Sequence, residues 1–316
     1  MTDKSFSLRN KRVFVAGHRG MVGAALVRAL CPEECEIFTI GRQALDLRRQ
    51  AAVEAWMAEH RPEVVVIAAA RVGGIGVNAA CPADFLYDNL MIEANVIHAA
   101  HECGVERLLF LGSSCIYPKD APQPIQEGAL MTGPLEPTNE AYAIAKIAGI
   151  KLCQSYRTQH GRSFISAMPC NLYGPGDAYD ENNSHVIPAL LMKMRAARDA
   201  GAPFVELWGT GTPLREFLHV DDLARAMVLL LRRYDGAEPV NIGSGEELSI
   251  AALAGLVARV TGYEGEIRFD ATRPDGTKRK VMECAKIRAL GWSPSIPLEA
   301  GLRDVCAVRD DRWDAA

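Results

Sequence analysis

The chain of 316 residues is long enough for about two domains, and its 49% hydrophobic and 23% charged residues exclude an intrinsically disordered protein and a small disulfide-rich scaffold. Its 35 basic and 39 acidic residues give a net charge of -4 without any basic run, so we expect no nucleic-acid partner. Nine cysteines without Cys-x-x-Cys spacing predict reduced thiols and no metal site, and the longest apolar run, residues 64–70, is far below the ~20 residues that cross a bilayer, so we expect a cytoplasmic protein with no membrane association.

Apolar, β-rich stretches alternate with segments of helical periodicity through the first half of the chain. The predicted strands are residues 13–16, 36–40, 64–69, 108–111 and 164–168, and the predicted helices are residues 22–30, 52–59, 84–103 and 140–160. This alternation is typical of buried parallel strands joined by right-handed helical crossovers. The sequence therefore predicts an α/β fold with a Rossmann-type doubly wound parallel sheet.

Beyond residue 169 the sequence changes to shorter helices between loops rich in glycine and proline, at residues 171–177, 208–213 and 273–277. This change predicts a second, smaller domain. We expect residues 1–172 to form the nucleotide-binding domain, to which residues 216–242 return. Residues 173–215 and 243–316 are then mainly a C-terminal α/β substrate-binding domain.

The first motif lies between the first predicted strand and the first predicted helix. It consists of Gly17, His18, Arg19, Gly20, Met21, Val22 and Gly23. Glycines there let the backbone turn tightly and approach a pyrophosphate at a helix N-terminus, where the helix dipole favours an anion. A glycine trio also fits a plain strand-to-helix turn, but its position at the start of an α/β domain predicts a dinucleotide site.

The end of the second predicted strand indicates which dinucleotide binds. An acidic residue there would bind the ribose hydroxyls of NAD, but this strand is followed by Gly41 and Arg42. Arg42 and Arg19 can converge on a 2'-phosphate because a guanidinium donates paired hydrogen bonds. The alternative is that Arg42 is a solvated loop residue. We predict NADP(H) as the cofactor, with Asp46 and Leu47 lining the adenine pocket.

A Ser-Tyr-Lys arrangement suited to carbonyl reduction follows. The fourth predicted strand ends in Leu111, Gly112, Ser113 and Ser114, and Tyr142 and Lys146 share one face of a helix. A Lys ammonium beside a phenol is expected to lower the pKa of Tyr142 from about 10 toward neutrality, so that the phenol can donate a proton to a carbonyl that receives a hydride. Ser113 can hydrogen-bond the same carbonyl oxygen.

Together with further motifs, these residues resemble the extended short-chain dehydrogenase/reductases that act on nucleotide sugars. The further motifs are residues 68–75, 112–118, 136–139, 171–175, 184–188 and 215–222. The resemblance covers nearly the whole chain. It is nearest to those members that epimerise GDP-4-keto-6-deoxy-D-mannose at C3 and C5 and then reduce C4 with NADPH to give GDP-L-fucose. It implies an enzyme that is both oxidoreductase and isomerase, with a GDP-sugar substrate.

The resemblance also assigns residues to ligands and to an interface. The cofactor would contact Leu111, Gly112, Ser113, Ser114, Lys146, Asn171, Leu172, Tyr173, Gly174 and His185. The GDP part of the substrate would contact Lys193, Trp208, Arg215, Asp275 and Lys280. The two long helices, residues 84–103 and 140–160, would form the face of a homodimer.

Cys115 and His185 complete the predicted catalytic set of Ser113, Tyr142 and Lys146. A C4 ketone acidifies the protons on both neighbouring carbons, and inversion of a carbon needs a base on one face and an acid on the other. A thiol with a pKa of about 8.5 and an imidazole near 6.5 suit that task near neutrality. Cys115 lies two residues beyond Ser113, so alternation along an extended chain is expected to place both side chains on one side.

Other residues near these motifs are expected to be structural. In the His-Val-Asp-Asp stretch that starts at His219, an aspartate is expected to cap the next helix, so His219 is not assigned to catalysis. Leu190, Leu191 and Met194 form an apolar stripe that we expect in the core or at a domain interface.

Two other functions stay open at this point. A nucleotide-sugar 4-epimerase would also use Tyr142 and Lys146, but it keeps bound NAD and needs no pair of thiol and imidazole. A non-catalytic NADP-sensing module could share the fold without needing the intact Ser113, Tyr142 and Lys146. NADPH oxidation with the GDP-linked 4-keto sugar distinguishes all three.

Overall fold

The larger sheet is built from the apolar strands of the first half of the chain. The computed structural model describes residues 5–180, 184–273 and 275–313. Six parallel strands lie in the order β2-β1-β3-β4-β5-β9. They are β1 (Arg12–Ala16), β2 (Glu36–Phe38), β3 (Val64–Ile67), β4 (Arg107–Leu111), β5 (Ser163–Pro169) and β9 (Val240–Ile242). The predicted Rossmann-type doubly wound sheet is confirmed.

Helices cover both faces of this sheet. They are α1 (Met21–Leu30), α2 (Gln50–His60), α3 (Ile75–Ala80), α4 (Pro82–Glu102), α5 (Glu140–His160) and α7 (Val220–Arg233). Helix α1 packs against α7, whereas α4 packs against α2 and α5. The chain changes direction across the sheet between β1 and β3, and ligands of open α/β sheets bind at such a switch point.

The smaller unit contains the remaining strands. Strands β6 (Asn171–Tyr173), β8 (Leu214–His219), β10 (Glu247–Ser249) and β12 (Arg279–Lys280) form one sheet, and β7 (Phe204–Trp208) pairs with β11 (Glu266–Asp270). The helices here are α6 (Val186–Asp199), α8 (Ile250–Thr261) and α10 (Leu298–Trp313). The short α9 (Ala285–Ala289) packs instead against β9 of the larger sheet.

The chain passes between the two units several times. Strand β6 hydrogen-bonds to β8, so both belong to the smaller unit and straddle the predicted boundaries at residues 172 and 215. Strand β9 then pairs with β5 in the larger sheet. After β12 the chain returns again, because Ile287 and Trp292 are buried in the larger core.

Each unit has its own apolar core. The larger core surrounds β1, β3, β4 and β5, whose central residues are fully buried. The smaller core contains Leu190, Leu191 and Met194 of α6, as expected. Among the described residues, no helix is both long and apolar enough to span a membrane. The same residues contain no group of three or more metal-ligating side chains placed to hold an ion.

Candidate active site

The glycine turn places the N-terminus of α1 directly at the switch point. Gly17 has a φ of +91°, and a Cβ on it would lie 2.6 Å from the backbone nitrogen of Ala69. A Cβ on Gly23 would lie 2.1 Å from the carbonyl oxygen of Gly17. Only glycine fits either position, because the turn brings backbone against backbone. The first turn of α1 has no side-chain cap and no acidic residue, so its N–H groups suit a phosphate.

Two arginines flank this turn, as the sequence predicts. The guanidinium of Arg19 packs over Gly41, where a Cβ would lie 3.1 Å from Arg19 Cζ. Arg42 is exposed beside it. A protein that binds NAD usually places a carboxylate after this strand to bind the ribose hydroxyls. Here the residues after Phe38 are Thr39, Ile40, Gly41 and Arg42, none of which is acidic.

Asp46 lies in an ion-pair chain beyond this loop. Its carboxylate binds Arg48 at 2.8 Å, and Arg48 also reaches Asp88 of α4 at 2.9 Å. The Arg48 hydrogen bonds lower the pKa of Asp46 to about 2. Arg71 pairs with the other oxygen of Asp88 at 3.0 Å. The backbone carbonyl of the neighbouring Leu47 accepts a hydrogen bond from Asn95. The predicted adenine-pocket residues are therefore tied to α4.

The Ser, Tyr and Lys side chains lie together at the end of β4. Ser113 lies two residues beyond the end of the strand, within hydrogen-bonding reach of the Tyr142 phenol on α5. The Lys146 ammonium lies one turn further along α5, 5.9 Å from the centre of the Tyr142 ring. The sequence order thus produces the predicted cluster, because the ends of parallel strands and the start of α5 meet at one edge of the sheet.

The predicted effect of Lys146 on Tyr142 is wrong. The pKa of Tyr142 is raised well above its ordinary value by burial, and the nearby Cys115 and Glu93 raise it further. The ammonium of Lys146 has a carboxylate partner of its own: its Nζ lies 2.9 Å from Oε1 of Glu93, and both side chains are 2% exposed.

Cys115 reaches the site by a different geometry from the predicted one. Residues Ser114–Ile116 form a single 3-10 turn rather than an extended chain, so alternation does not apply. The turn instead brings the Cys115 N–H to the Ser113 hydroxyl at 3.5 Å and its thiol to the same hydroxyl. Burial raises the pKa of the thiol, against the opposing charges of Lys280 and Lys146. The thiol is therefore not poised near neutrality by its surroundings alone.

His185 stands at the N-terminal end of α6, in the smaller unit. Its Nδ1 lies 3.8 Å from Oδ1 of Asp177, whose side chain is buried, while the imidazole is half-exposed. This places a carboxylate behind the imidazole and leaves the rest of the ring accessible.

The segment after β5 connects the two units. Asn171 donates from its side-chain amide to the backbone carbonyl of Glu216 at 3.1 Å. Leu172 packs against the larger core, and the Tyr173 ring is buried in the smaller core. Gly174 has a φ of +148°. Any contact of Tyr173 with a cofactor would therefore come from its backbone.

His219 caps α7 itself, so the expectation of an aspartate cap is wrong. Its Nδ1 accepts the N–H of Asp221 at 3.2 Å, and its ring packs edge-on against Tyr173 at 5.3 Å between centres. The imidazole is the N-cap acceptor because it lies at the end of β8, before the first helical residue.

The five residues assigned to the GDP part lie around β7, β8 and β12. Lys193 donates to the backbone carbonyl of Glu206 in β7, and Trp208 at the end of that strand is 70% exposed. Asp275 accepts from the N–H and hydroxyl of Thr210. Lys280 is in register with Arg215 across β12 and β8. Burial lowers the pKa of both of these cations.

A cleft lies between the two units, with Cys115 on one side and Lys280 on the other. It is lined by Ser114 and Cys115 from the larger unit and by Thr277, Arg279 and Lys280 from the smaller one. Asn139 also lines it, with its side-chain oxygen buried and without a hydrogen-bond partner among the described residues. The cleft can hold a polar group next to the Cys115 thiol.

Sequence reasoning missed Glu93 and Asp177, which contact Lys146 and His185 respectively. The sequence could have indicated Glu93, because it is an acidic residue on the inward face of a long amphipathic helix. No sequence pattern indicates Asp177, because its contact with His185 depends on the conformation of the loop that carries it.

Comparison with known proteins places this arrangement in a family. Residues 13–243 match the NAD dependent epimerase/dehydratase family. The chain belongs to this family. It is 57% identical over 299 residues to GDP-L-fucose synthase 1 of Arabidopsis thaliana, with 94% of this chain and 93% of the other covered.

Two further similar proteins support membership in this family. The chain is 55% identical over 297 residues to GDP-L-fucose synthase of Sinorhizobium fredii, covering 94% of this chain and 95% of the other. The crystal structure of a GDP-L-fucose synthetase from Naegleria fowleri bound to NADP superposes with a TM-score of 0.90 at 27% identity and covers 100% of this chain and 99% of the other. The family of nucleotide-sugar enzymes expected from the motifs is confirmed.

Proposed function

We propose that this protein is a bifunctional NADPH-dependent epimerase and reductase that converts GDP-4-keto-6-deoxy-D-mannose to GDP-L-fucose. The observation that carries the proposal is the Cys115 thiol beside the hydroxyls of Ser113 and Tyr142. A plain carbonyl reductase needs the hydroxyls but not the thiol. Relatives named GDP-L-fucose synthase, at 55% and 57% identity, support the same substrate.

The glycine turn fits NADP(H), because Gly17 and Gly23 allow the close backbone packing that leaves the N-terminus of α1 uncapped, and the arginines at 19 and 42 can bind a 2'-phosphate. NADPH, when bound, supplies the hydride for C4. Gly17, Gly20 and the start of α1 would hold its pyrophosphate. Asn171 and Gly174 would complete the pocket from the segment after β5.

Different residues of the chain would carry out the proton transfers of reduction and of epimerisation. Ser113 binds the C4 oxygen, and Tyr142 donates the proton that completes reduction. For epimerisation, Cys115 removes the proton next to the C4 ketone and His185 returns one to the opposite face. Lys280 and Lys146 favour the thiolate that the base requires, since both lower the pKa of Cys115 against its burial.

The substrate's nucleotide would lie on the smaller unit. The exposed Trp208 offers a face for guanine stacking, and Lys193, Arg215 and Lys280 offer charge for a diphosphate. Asp275, already bound to Thr210, fixes the loop beside them.

The decisive experiment is turnover of the 4-keto sugar in heavy water with NADPH, followed by mass and NMR analysis of the sugar. GDP-4-keto-6-deoxymannose should consume NADPH and gain deuterium at C3 and C5, while UDP- and dTDP-linked 4-keto sugars should not. Binding of NADPH without consumption would indicate the sensing module instead. Inversion at C4 of a nucleotide sugar that carries a C4 hydroxyl, without net NADPH use, would indicate a 4-epimerase.

Two variants assign the epimerisation. Cys115→Ala should stop deuterium entry while some NADPH is still consumed, giving an uninverted 6-deoxy sugar. His185→Ala should allow deuterium exchange but sharply lower inverted product. Cys103→Ala, a partly buried thiol at the end of α4, is the matched control and should behave as the native protein. Normal deuterium entry and stereochemistry in Cys115→Ala would make the thiol a packing residue.

We also propose that the protein is a cytoplasmic homodimer associated through α4 and α5. These helices pack together and expose two large hydrophobic side chains, Tyr87 and Ile144. Light scattering of the native protein and of Ile144→Glu tests the assembly: the native protein should have the mass of a dimer and the variant that of a monomer.

A further inference from the structure

The indole of Trp208 is held in an exposed position by two loops that are bound to each other. Trp208 ends β7 in register with Asp270, the last residue of β11. In the loops that follow, the Gly209 N–H donates to the Asp270 carbonyl at 3.0 Å, and the Thr210 hydroxyl donates to Asp275 at 2.7 Å. Trp208 nevertheless stays 70% exposed. A large aromatic face therefore stands open to a planar ligand.

Arg273, in the loop after β11, lies beside this ring. Its Cζ is 5.0 Å from the centre of the Trp208 ring, within the range of a cation–π contact. Its Nε lies 3.7 Å from Oδ2 of Asp270, beyond hydrogen-bonding distance. The other oxygen of Asp270 accepts from the N–H and the hydroxyl of Thr272. Among the described residues the guanidinium donates no hydrogen bond, so its N–H groups are available to a ligand.

A second pair of an arginine and an aromatic ring lies near the opposite end of the same two strands and has a different geometry. Cζ of Arg268 is 4.0 Å from the centre of the Phe204 ring, and atoms in close contact are about 3.5–4.0 Å apart. Arg268 also donates two hydrogen bonds to Glu266. Arg268 thus covers its ring and is already bound, whereas Arg273 lies farther from its ring centre and leaves part of the indole uncovered.

A base that stacks on the uncovered part of the indole would meet the guanidinium edge to edge, because both would lie over the same ring. Guanine presents two acceptors, O6 and N7, on one edge, and a guanidinium can donate a hydrogen bond to each of them. Adenine has an amino donor in place of O6, and thymine has a methyl group beside its carbonyl. Only guanine therefore accepts both hydrogen bonds.

We propose that Arg273 is a specificity-determining residue that binds O6 and N7 of guanine while the base stacks on Trp208. The proposal rests on the proposed function, which places the GDP part of the substrate on this surface. Stacking on an indole accepts any base, since every base has an aromatic face. Arg273 adds the contact that distinguishes guanine from the other bases.

The test compares GDP with 7-deaza-GDP, which has a C–H group in place of N7. Isothermal titration calorimetry measures the binding of both to the full chain. The native protein should bind GDP more tightly, because 7-deaza-GDP loses one of the two hydrogen bonds. Arg273→Met keeps the aliphatic part of an exposed side chain but has no N–H donor. It should lower the affinity for GDP by about 5- to 150-fold and should bind the two nucleotides equally well.

Two comparisons separate recognition of the base from a general effect of charge. Arg268→Met removes the other pair of arginine and aromatic ring from the same strands, and it is the matched control. It should leave both affinities at their native values. The affinity for ADP, measured by displacement of GDP, should not fall in Arg273→Met, because adenine cannot accept both hydrogen bonds.

Three results would overturn the proposal while the proposed function stands. The first is an unchanged affinity of Arg273→Met for GDP. The second is an equal loss of GDP and 7-deaza-GDP in this variant, which would mean that the guanidinium binds the diphosphate. The third is a native protein that binds both nucleotides equally well, since N7 would then have no contact. A native protein that does not bind GDP at all would overturn the proposed function together with this proposal.

Discussion

The carboxylate of Asp177 lies 3.8 Å from Nδ1 of His185 and is itself almost fully buried. Its second oxygen has no hydrogen-bond partner among the described residues. A carboxylate beside one ring nitrogen favours one orientation of the imidazole. The opposite nitrogen then faces away from Asp177, where a substrate can reach it.

Asp177→Asn should therefore weaken the return of the proton more than its removal. A partly exposed contact at 3.8 Å contributes about 1 kcal/mol or less, so the variant should lower the yield of inverted product by up to about 5-fold. Deuterium should still enter from heavy water, since Cys115 is intact. Asp199→Asn, at the exposed end of α6, serves as the control. Unchanged yield of inverted product in Asp177→Asn would show that the contact does not matter to catalysis.

Arg42→Ala should separate the two nicotinamide cofactors. If Arg42 binds the 2'-phosphate, its removal should weaken NADPH binding roughly 10- to 100-fold, the equivalent of about 1.5–3 kcal/mol, and leave NADH nearly unchanged. Fluorescence titration with both cofactors measures this. Arg49→Ala, another exposed arginine shortly after this loop, should leave both affinities as they were. Equal weakening of NADPH and NADH would argue against contact with the 2'-phosphate.

Tyr142→Phe should retain fold and cofactor binding but lose the proton donor. Reduction at C4 should fall by about 10² to 10⁴, the usual contribution of a positioned acid. Stopped-flow measurement of NADPH oxidation gives the rate. Tyr156→Phe, on the same helix but hydrogen-bonded to His98, is a control that should keep its activity. Nearly normal oxidation by Tyr142→Phe would mean that another group donates the proton.

The Asp46 ion pair should contribute stability that depends on pH. Its pKa lies at about 2 in the folded protein, below the ordinary 3.8, so the contribution is present above pH 4 and is lost as the pH falls through about 2. Because the pair is partly exposed, screening limits the contribution to about 1 kcal/mol. Urea unfolding of Asp46→Asn should show this loss at pH 7 and a shrinking difference below pH 4.

The exposed carboxylate of Asp120 provides the comparison for that measurement. Asp120→Asn should unfold like the native protein at both pH values. A constant deficit of Asp46→Asn from pH 7 down to pH 2.5 would contradict an origin in the charge of the carboxylate.

Periodicity in the sequence predicted most of the larger sheet and its long helices. The helix predicted at residues 140–160 is α5 (Glu140–His160), and β4 differs from its prediction by one residue. These elements are predictable because burial of one face imposes a repeating pattern. The 3-10 turn that holds Cys115 has three residues and imposes no period, so its geometry was mispredicted.

Pairings between distant residues were the least predictable part of the site. Lys146 was expected to act on Tyr142 because the two are neighbours on one helix. Its actual partner, Glu93, lies on α4, and the contact depends on how closely α4 and α5 pack at Gly149. Local sequence gives the residues of a catalytic cluster, whereas the net charge on each depends on tertiary packing.

Strand β9 has a consequence for how the protein is made. It pairs with residues 167–169 of β5, yet it is translated about 70 residues later. At a synthesis rate of roughly 5–20 residues per second, the edge of β5 stays open for about 4–14 s on each nascent chain. An unpaired apolar edge is a template for association between chains. Slower translation between residues 170 and 240 should therefore increase aggregation during expression, even though the finished enzyme is unchanged.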